Sequence, residues 1–209
     1  DLHRLAEISE MAKKYGAYMF VDDAHGAGVF GKNGKGTVNH FGVEDKVDLI
    51  TGTLSKSMGT GGGYAVGNRQ LIKYMKHFSR SNTFSASVAP PIVAAASKAI
   101  DLFTEEPQII QKLWDNTRYI KKQLIERGFD IGRSESPIIP VMVRDDEKTK
   151  VVARQLLERG IYIIPATYPA VKLKDSRLRL NITAQHTKDD LDKFCETLSI
   201  INKTLNFID

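Results

Sequence analysis

The chain has 209 residues, with 30 Lys plus Arg against 25 Asp plus Glu, a formal net charge of +5 and 42% hydrophobic residues. Such usage excludes a disordered chain, and no run approaches the ~20 apolar residues of a bilayer-spanning helix. The single cysteine, Cys195, excludes an intramolecular disulfide framework and suits a reducing cytoplasm.

In chain order, the spacing of Leu2, Leu5, Ile8 and Met11 predicts an amphipathic helix that stops at Tyr15-Gly16. It begins without a lead-in or an initiator Met, which reads as a piece of a longer protein. Residues 17–21 form a continuously apolar run, the pattern of a strand buried on both faces of a parallel sheet. A glycine-rich loop follows, then a second strand over 47–53, the run Gly59-Thr60-Gly61-Gly62-Gly63 and a third strand over 64–66. Arg69, Lys73, Lys76 and Arg80 have the spacing of one side of a helix and read as a solvated face before a nucleic-acid stripe.

Helices are expected over 92–103, after Pro90-Pro91, and over 107–127, closed by Gly128. A strand over 138–143, a helix over 149–159, strands over 161–164 and 178–182, and a last helix from Thr187 complete the chain. Helix–strand alternation in the first half points to an open α/β sheet, and the second half reads as helices on a small antiparallel or mixed sheet. The expected division is a large-domain part over 1–115, mostly parallel in its sheet, and a small α+β domain over 116–209.

Four features carry chemistry, and each has a plain structural reading beside it. Asp22-Asp23-Ala24-His25 ends the first strand, where open α/β sheets bind ligands; equally, Asp23 caps a helix and His25 meets a backbone carbonyl. Thr53-Leu54-Ser55-Lys56-Ser57 ends the second strand. A desolvated lysine there has the lowered pKa that a Schiff base needs, with hydroxyls and N–H groups suited to phosphate; the plain reading is an exposed loop lysine. Residues 59–64 fail as a P-loop and as a dinucleotide fingerprint and mark only a tight backbone. Arg177 and Arg179 share one face of the late strand, where a guanidinium clamps a carboxylate or makes a surface ion pair. The five histidines and one cysteine lack metal-ligand spacing, and no Gly-x-Ser-x-Gly elbow occurs.

The run Val-Asp-Asp-Ala-His-Gly-Ala-Gly-Val-Phe-Gly (21–31), together with Gly-Thr-Leu-Ser-Lys-Ser-Met-Gly (52–59), resembles the α-oxoamine synthase family of fold-type I pyridoxal-phosphate enzymes. Residues 83–87, 135–138, 177–179 and 183–187 extend the resemblance across essentially the whole chain. Residues 36–42 and 183–190 are most similar to its glycine C-acetyltransferase and 8-amino-7-oxononanoate synthase branch; 80–87 and 135–138 resemble bacterial serine palmitoyltransferase.

The resemblance implies an aminotransferase-like fold and condensation of a small amino acid with an acyl-CoA on pyridoxal phosphate. By position it implies that Lys56 forms the Schiff base and moves protons at the substrate Cα. It further implies that Asp22 binds the pyridine nitrogen, His25 the phenolic oxygen, Thr53 the phosphate, and Ser85 the phosphate from the neighbouring subunit of a homodimer. Arg179 would bind the substrate carboxylate, and 165–169 would lie near the acyl-CoA entrance. Two departures stand out. Gly61 occupies a position usually aliphatic in the family, which is expected to loosen the lysine loop. The family's upstream part, which brings further strands and an aromatic stacked on the cofactor, lies outside these residues. A folded piece without activity is the rival reading.

Overall fold

The computed structural model describes residues 2–207, so the expected domain ends at Asp1 and Asp209 lie outside the described residues. The chain forms two compact units, His3–Ile110 and the residues from Gln111 onward.

The N-terminal unit opens with α1 (Leu5–Lys14), followed by β1 (Phe20–Asp22), the short α2 (Thr37–His40), β2 (Leu49–Thr53) and β3 (Gly63–Gly67). Its sheet runs β1-β2-β3. β1 lies parallel to β2, with Asp22 opposite Thr51, but β2 and β3 are antiparallel, with Thr53 opposite Gly63. The mostly parallel sheet expected from the alternation is therefore only half realised in these three strands. The physical reason is loop length: residues 54–62 are too few for a crossover, which needs about a dozen residues or more, whereas 23–48 are enough.

Burial also departs from expectation. Met19 and Val21 pack with Leu5, Val38 and Val43, while Tyr18 is 92% and Phe20 63% exposed. The apolar run thus buries one face of β1, and no described element covers the other. The unit continues with α3 (Arg69–Phe78), α4 (Arg80–Thr83) and α5 (Pro90–Glu105). α3 is capped by the Asn68 side chain, which accepts from the Leu71 N–H, and it ends where Ser79 turns extended. Arg80 therefore opens a separate helix, and the four cations do not share one helix side as the spacing suggested.

The C-terminal unit contains most of α6 (Gln108–Glu126), then β4 (Ile138–Met142), α7 (Asp146–Glu158), β5 (Ile164–Ala166), β6 (Arg177–Asn181) and α8 (Lys188–Leu205). Its sheet has the order β4-β6-β5 and is wholly antiparallel. One continuous core fills it, with Ile120, Leu124, Ile139, Val141, Leu156, Leu178 and Leu198 fully buried. α7 starts before the expected Thr149 because the Asp145 side chain caps it by accepting from the Lys148 N–H. β5 begins at Ile164, later than expected: within 161–164 only Ile164 pairs in the ladder, with Arg179, while Ile163 is buried. No helix among the described residues is long and apolar enough to cross a membrane.

Candidate active site

Parallel pairing brings the carboxyl ends of β1 and β2 to one edge of the sheet, where open α/β sheets place ligands. Asp22 ends β1 and is exposed. Its Oδ1 accepts from the Ala24 N–H at 3.0 Å, which fixes the carboxylate in a local turn. His25 follows in that turn and is also exposed. Thr53 ends β2, and Lys56 lies three residues further on.

The lysine loop is closed by its own backbone. Leu54 N–H donates to Gly62 O at 2.9 Å, Thr60 N–H donates to Leu54 O at 2.9 Å, and Gly59 N–H donates to Lys56 O at 3.0 Å. Leu54 and Met58 pack inward on Ala27 and Ala96, which leaves Ser55, Lys56 and Ser57 facing out. The Ser57 hydroxyl donates to Ala27 O at 2.7 Å, tying this loop to the one that carries His25. Lys56 Nζ has no hydrogen bond or ion pair among the described residues. The loop turns the Lys56 side chain outward, where it is exposed. Around Gly61, the bonds from the Leu54 N–H and the Thr60 N–H close the loop.

Thr53 spends its hydroxyl on the same loop. Its Oγ1 lies 2.7 Å from Ser55 Oγ and donates to Gly62 O at 3.2 Å. Two residues at this edge make contacts that the sequence did not show: Asp23, named above only within the strand-end motif, and Tyr64. Asp23, buried beneath the exposed Asp22, accepts from Thr37 N–H at 2.9 Å and from the Thr37 hydroxyl at 2.6 Å. Burial pushes its carboxyl above the usual range, against the lowering pull of those two bonds. The Thr37 N–H from which it accepts is the first of α2, whose N-cap position is held by Gly36. Tyr64 stands opposite Gly52 in the β2–β3 register. Its ring covers that glycine so closely that a Cβ there would lie 2.4 Å from the phenol oxygen. Burial, followed by the charges of Asp23 and Asp22, pushes the Tyr64 phenol up. A glycine facing an aromatic across a ladder was the available signal.

Ser85 lies in an exposed, irregular stretch after α4. Arg179 belongs to the C-terminal unit, at the centre of its sheet between Pro140 and Ile164. Alternation buries Leu178 and leaves Arg177 and Arg179 on the opposite face. Arg177 Nε donates to Asp175 O at 2.7 Å, whereas the Arg179 guanidinium has no partner among the described residues.

Residues 1–198 match the aminotransferase class I and II family. The chain belongs to that family. It is 45% identical over 200 residues to 8-amino-7-oxononanoate synthase 1 of Bacillus subtilis, covering 96% of this chain and 50% of that protein. It is 44% identical over 198 residues to serine palmitoyltransferase of Sphingobacterium spiritivorum, covering 95% and 50%. The chain thus spans about half the length of these curated relatives. Among solved structures, SPT with its PLP internal aldimine matches at a TM-score of 0.94 and 33% identity, over 100% of this chain and 53% of that one. An 8-amino-7-oxononanoate synthase from Francisella tularensis, at 0.82, 21%, 97% and 59%, shares the fold.

Proposed function

We propose that this chain carries the lysine-bearing site of a pyridoxal-phosphate-dependent C-acyltransferase that condenses a small amino acid with an acyl-CoA to an α-oxoamine. The observation that carries this reading is Lys56, partnerless among the described residues on a hydrogen-bonded loop at the carboxyl edge of β2, with Asp22 ending the parallel neighbour β1. The donor set fits the cofactor: an amine, a carboxylate for a ring nitrogen, and hydroxyls with backbone N–H groups for a phosphate. The names of the relatives from Bacillus subtilis and Sphingobacterium spiritivorum support the choice of reaction class.

When bound, pyridoxal phosphate supplies the electron sink for charge at the substrate Cα. Lys56 Nζ anchors the cofactor and moves the proton at that carbon. Asp22 holds a proton on the pyridine nitrogen through its carboxylate. His25 orients the ring through the phenolic oxygen, and Thr53 binds the phosphate. Ser85 joins it from a second copy, which makes the working unit a homodimer. Arg179 pairs its planar fork with the substrate carboxylate, the geometry in which Lys is no substitute for Arg. The setting is a reducing cytoplasm, which the single, buried Cys195 favours.

The deciding experiment adds pyridoxal phosphate, follows the visible spectrum, reduces with borohydride and maps the labelled peptide. The expected result is a label on Lys56 that disappears in Lys56→Ala. Equal cofactor uptake by Lys56→Ala and wild type removes the covalent role. A second reading, a folded piece without activity, is favoured by the half-length coverage of the relatives. It predicts no label at Lys56 and no product from glycine, alanine or serine and short or long acyl-CoAs. Activity retained by a monomer in light scattering overturns the role of Ser85 across subunits.

A further inference from the structure

Asp23 is a buried carboxylate that meets no cation among the described residues and lies next to the carboxylate assigned to the cofactor. Every polar group it has is used. Its N–H donates to Thr51 O at 2.8 Å, and its carbonyl accepts from Gly26 N–H at 3.0 Å and Ala27 N–H at 3.1 Å, closing the turn that contains His25. Its two carboxylate oxygens take the Thr37 N–H and hydroxyl, fourteen residues away. The walls around it are glycines: a Cβ on Gly26 would lie 1.9 Å from Oδ1, and one on Gly36 would lie 1.9 Å from Oδ2. Gly26 needs no left-handed backbone, so the Asp23 carboxylate and Thr37 Cγ2, 2.6 Å from such a Cβ, are what forbid a side chain there; Gly36 is restricted also by its φ of +98°.

We propose that Asp23 is the positioning residue of this site: clamped between Gly26 and Gly36 by Thr37, it fixes the turn that aims Asp22 and His25. The proposal rests on the function proposed above for those two residues. Strand alternation makes the device work, since Asp22 points out to the ligand edge while Asp23 points into the protein. The clamp acts by geometry and not by charge. An asparagine in the same place accepts from the Thr37 N–H and donates its amide to the Thr37 hydroxyl, keeping both bonds.

The test compares Asp23→Ala, Asp23→Asn and Thr37→Val with wild type, well below each melting temperature, in cofactor affinity and in amide exchange at residues 24–27. With both Thr37 bonds lost, Asp23→Ala should weaken pyridoxal phosphate binding about tenfold and speed exchange at 24–27 at least as much. Exchange in the β4-β6-β5 sheet should not change. Asp23→Asn should recover both readouts to within about twofold, a rescue that a purely electrostatic role does not allow. Thr37→Val, which keeps its N–H, should fall between, and it decides the matter if Asp23→Ala does not fold. Wild-type values in folded Asp23→Ala or in Thr37→Val overturn the proposal, as does an Asp23→Asn as weak as the alanine variant. If wild type itself takes up no cofactor, the function reading fails; unaltered exchange at 24–27 in the variants would then overturn the clamp separately.

Discussion

The two units of this chain are held together by different means. The C-terminal unit closes three helices over one face of an antiparallel sheet, and its core runs unbroken from Ile120 through Leu178 to Ile201. The N-terminal unit divides its buried side chains between two small clusters, one under β1 and one under the lysine loop. It leaves Tyr18 and Phe20 exposed. What it has instead is dense polar bracing at the strand ends, from Asp23 to Thr37, Ser57 to Ala27 and Thr53 to Gly62. Burial is non-directional and tolerates small shifts, whereas hydrogen bonds and close glycine contacts fix atoms within tenths of an ångström. The residues read as the site lie mostly on the braced unit, as precision requires.

Substitutions in each unit can break or sharpen this contrast. The largest effect is expected from Leu198→Ala: a fully buried leucine truncated in a continuous core costs about 3 to 5 kcal/mol, read from urea unfolding. Gly26→Ala adds a single methyl, yet it drives a carbon onto the Asp23 carboxylate and onto Thr37 Cγ2. A cost of about 1 to 3 kcal/mol is expected, and a neutral result would mean that the bracing is soft. Thr187→Ala removes the capping box that Thr187 and Asp190 form at the start of α8, at a cost of about 1 kcal/mol.

Gly61→Ala goes the other way. Its φ is not left-handed and nothing lies within 4 Å of a Cβ there, so a gain of about 0.4 to 1 kcal/mol is expected in the melting transition.

The last test is one of pH. Because burial raises the Asp23 carboxyl, the folded state binds its proton more tightly than the unfolded chain. Its ionisation therefore costs stability as pH rises from the unfolded carboxylate range through the folded pKa, and below that window the cost is absent. Asp23→Asn, which keeps the bonds without the charge, should match or exceed wild-type stability at neutral pH. That advantage should shrink as the solution is acidified. An advantage that grows on acidification would contradict the assigned direction.

Much of the framework was legible from residue order alone. Periodicity located α1, α5, α6 and the strands β2, β4 and β6 to within a few residues, because each is a local consequence of which side chains are apolar. Lys56 and Asp22 stood out as chemistry-bearing residues at strand ends, and the motifs around them led to the family. The pairing of Asp23 with Thr37, the closure of Ser57 on Ala27 across thirty residues, and the Tyr64 ring over Gly52 were not legible. Each depends on which loops and strands come to lie side by side. The sequence by itself determined most of the elements and which residue types stand at the strand ends, since helix and strand period and residue chemistry are properties of short segments. Tertiary structure alone decided the antiparallel turn of β3, the outward aim of Lys56, the exposed face of β1 and the burial of Asp23. Those follow from loop length and strand register, which join residues far apart in the chain.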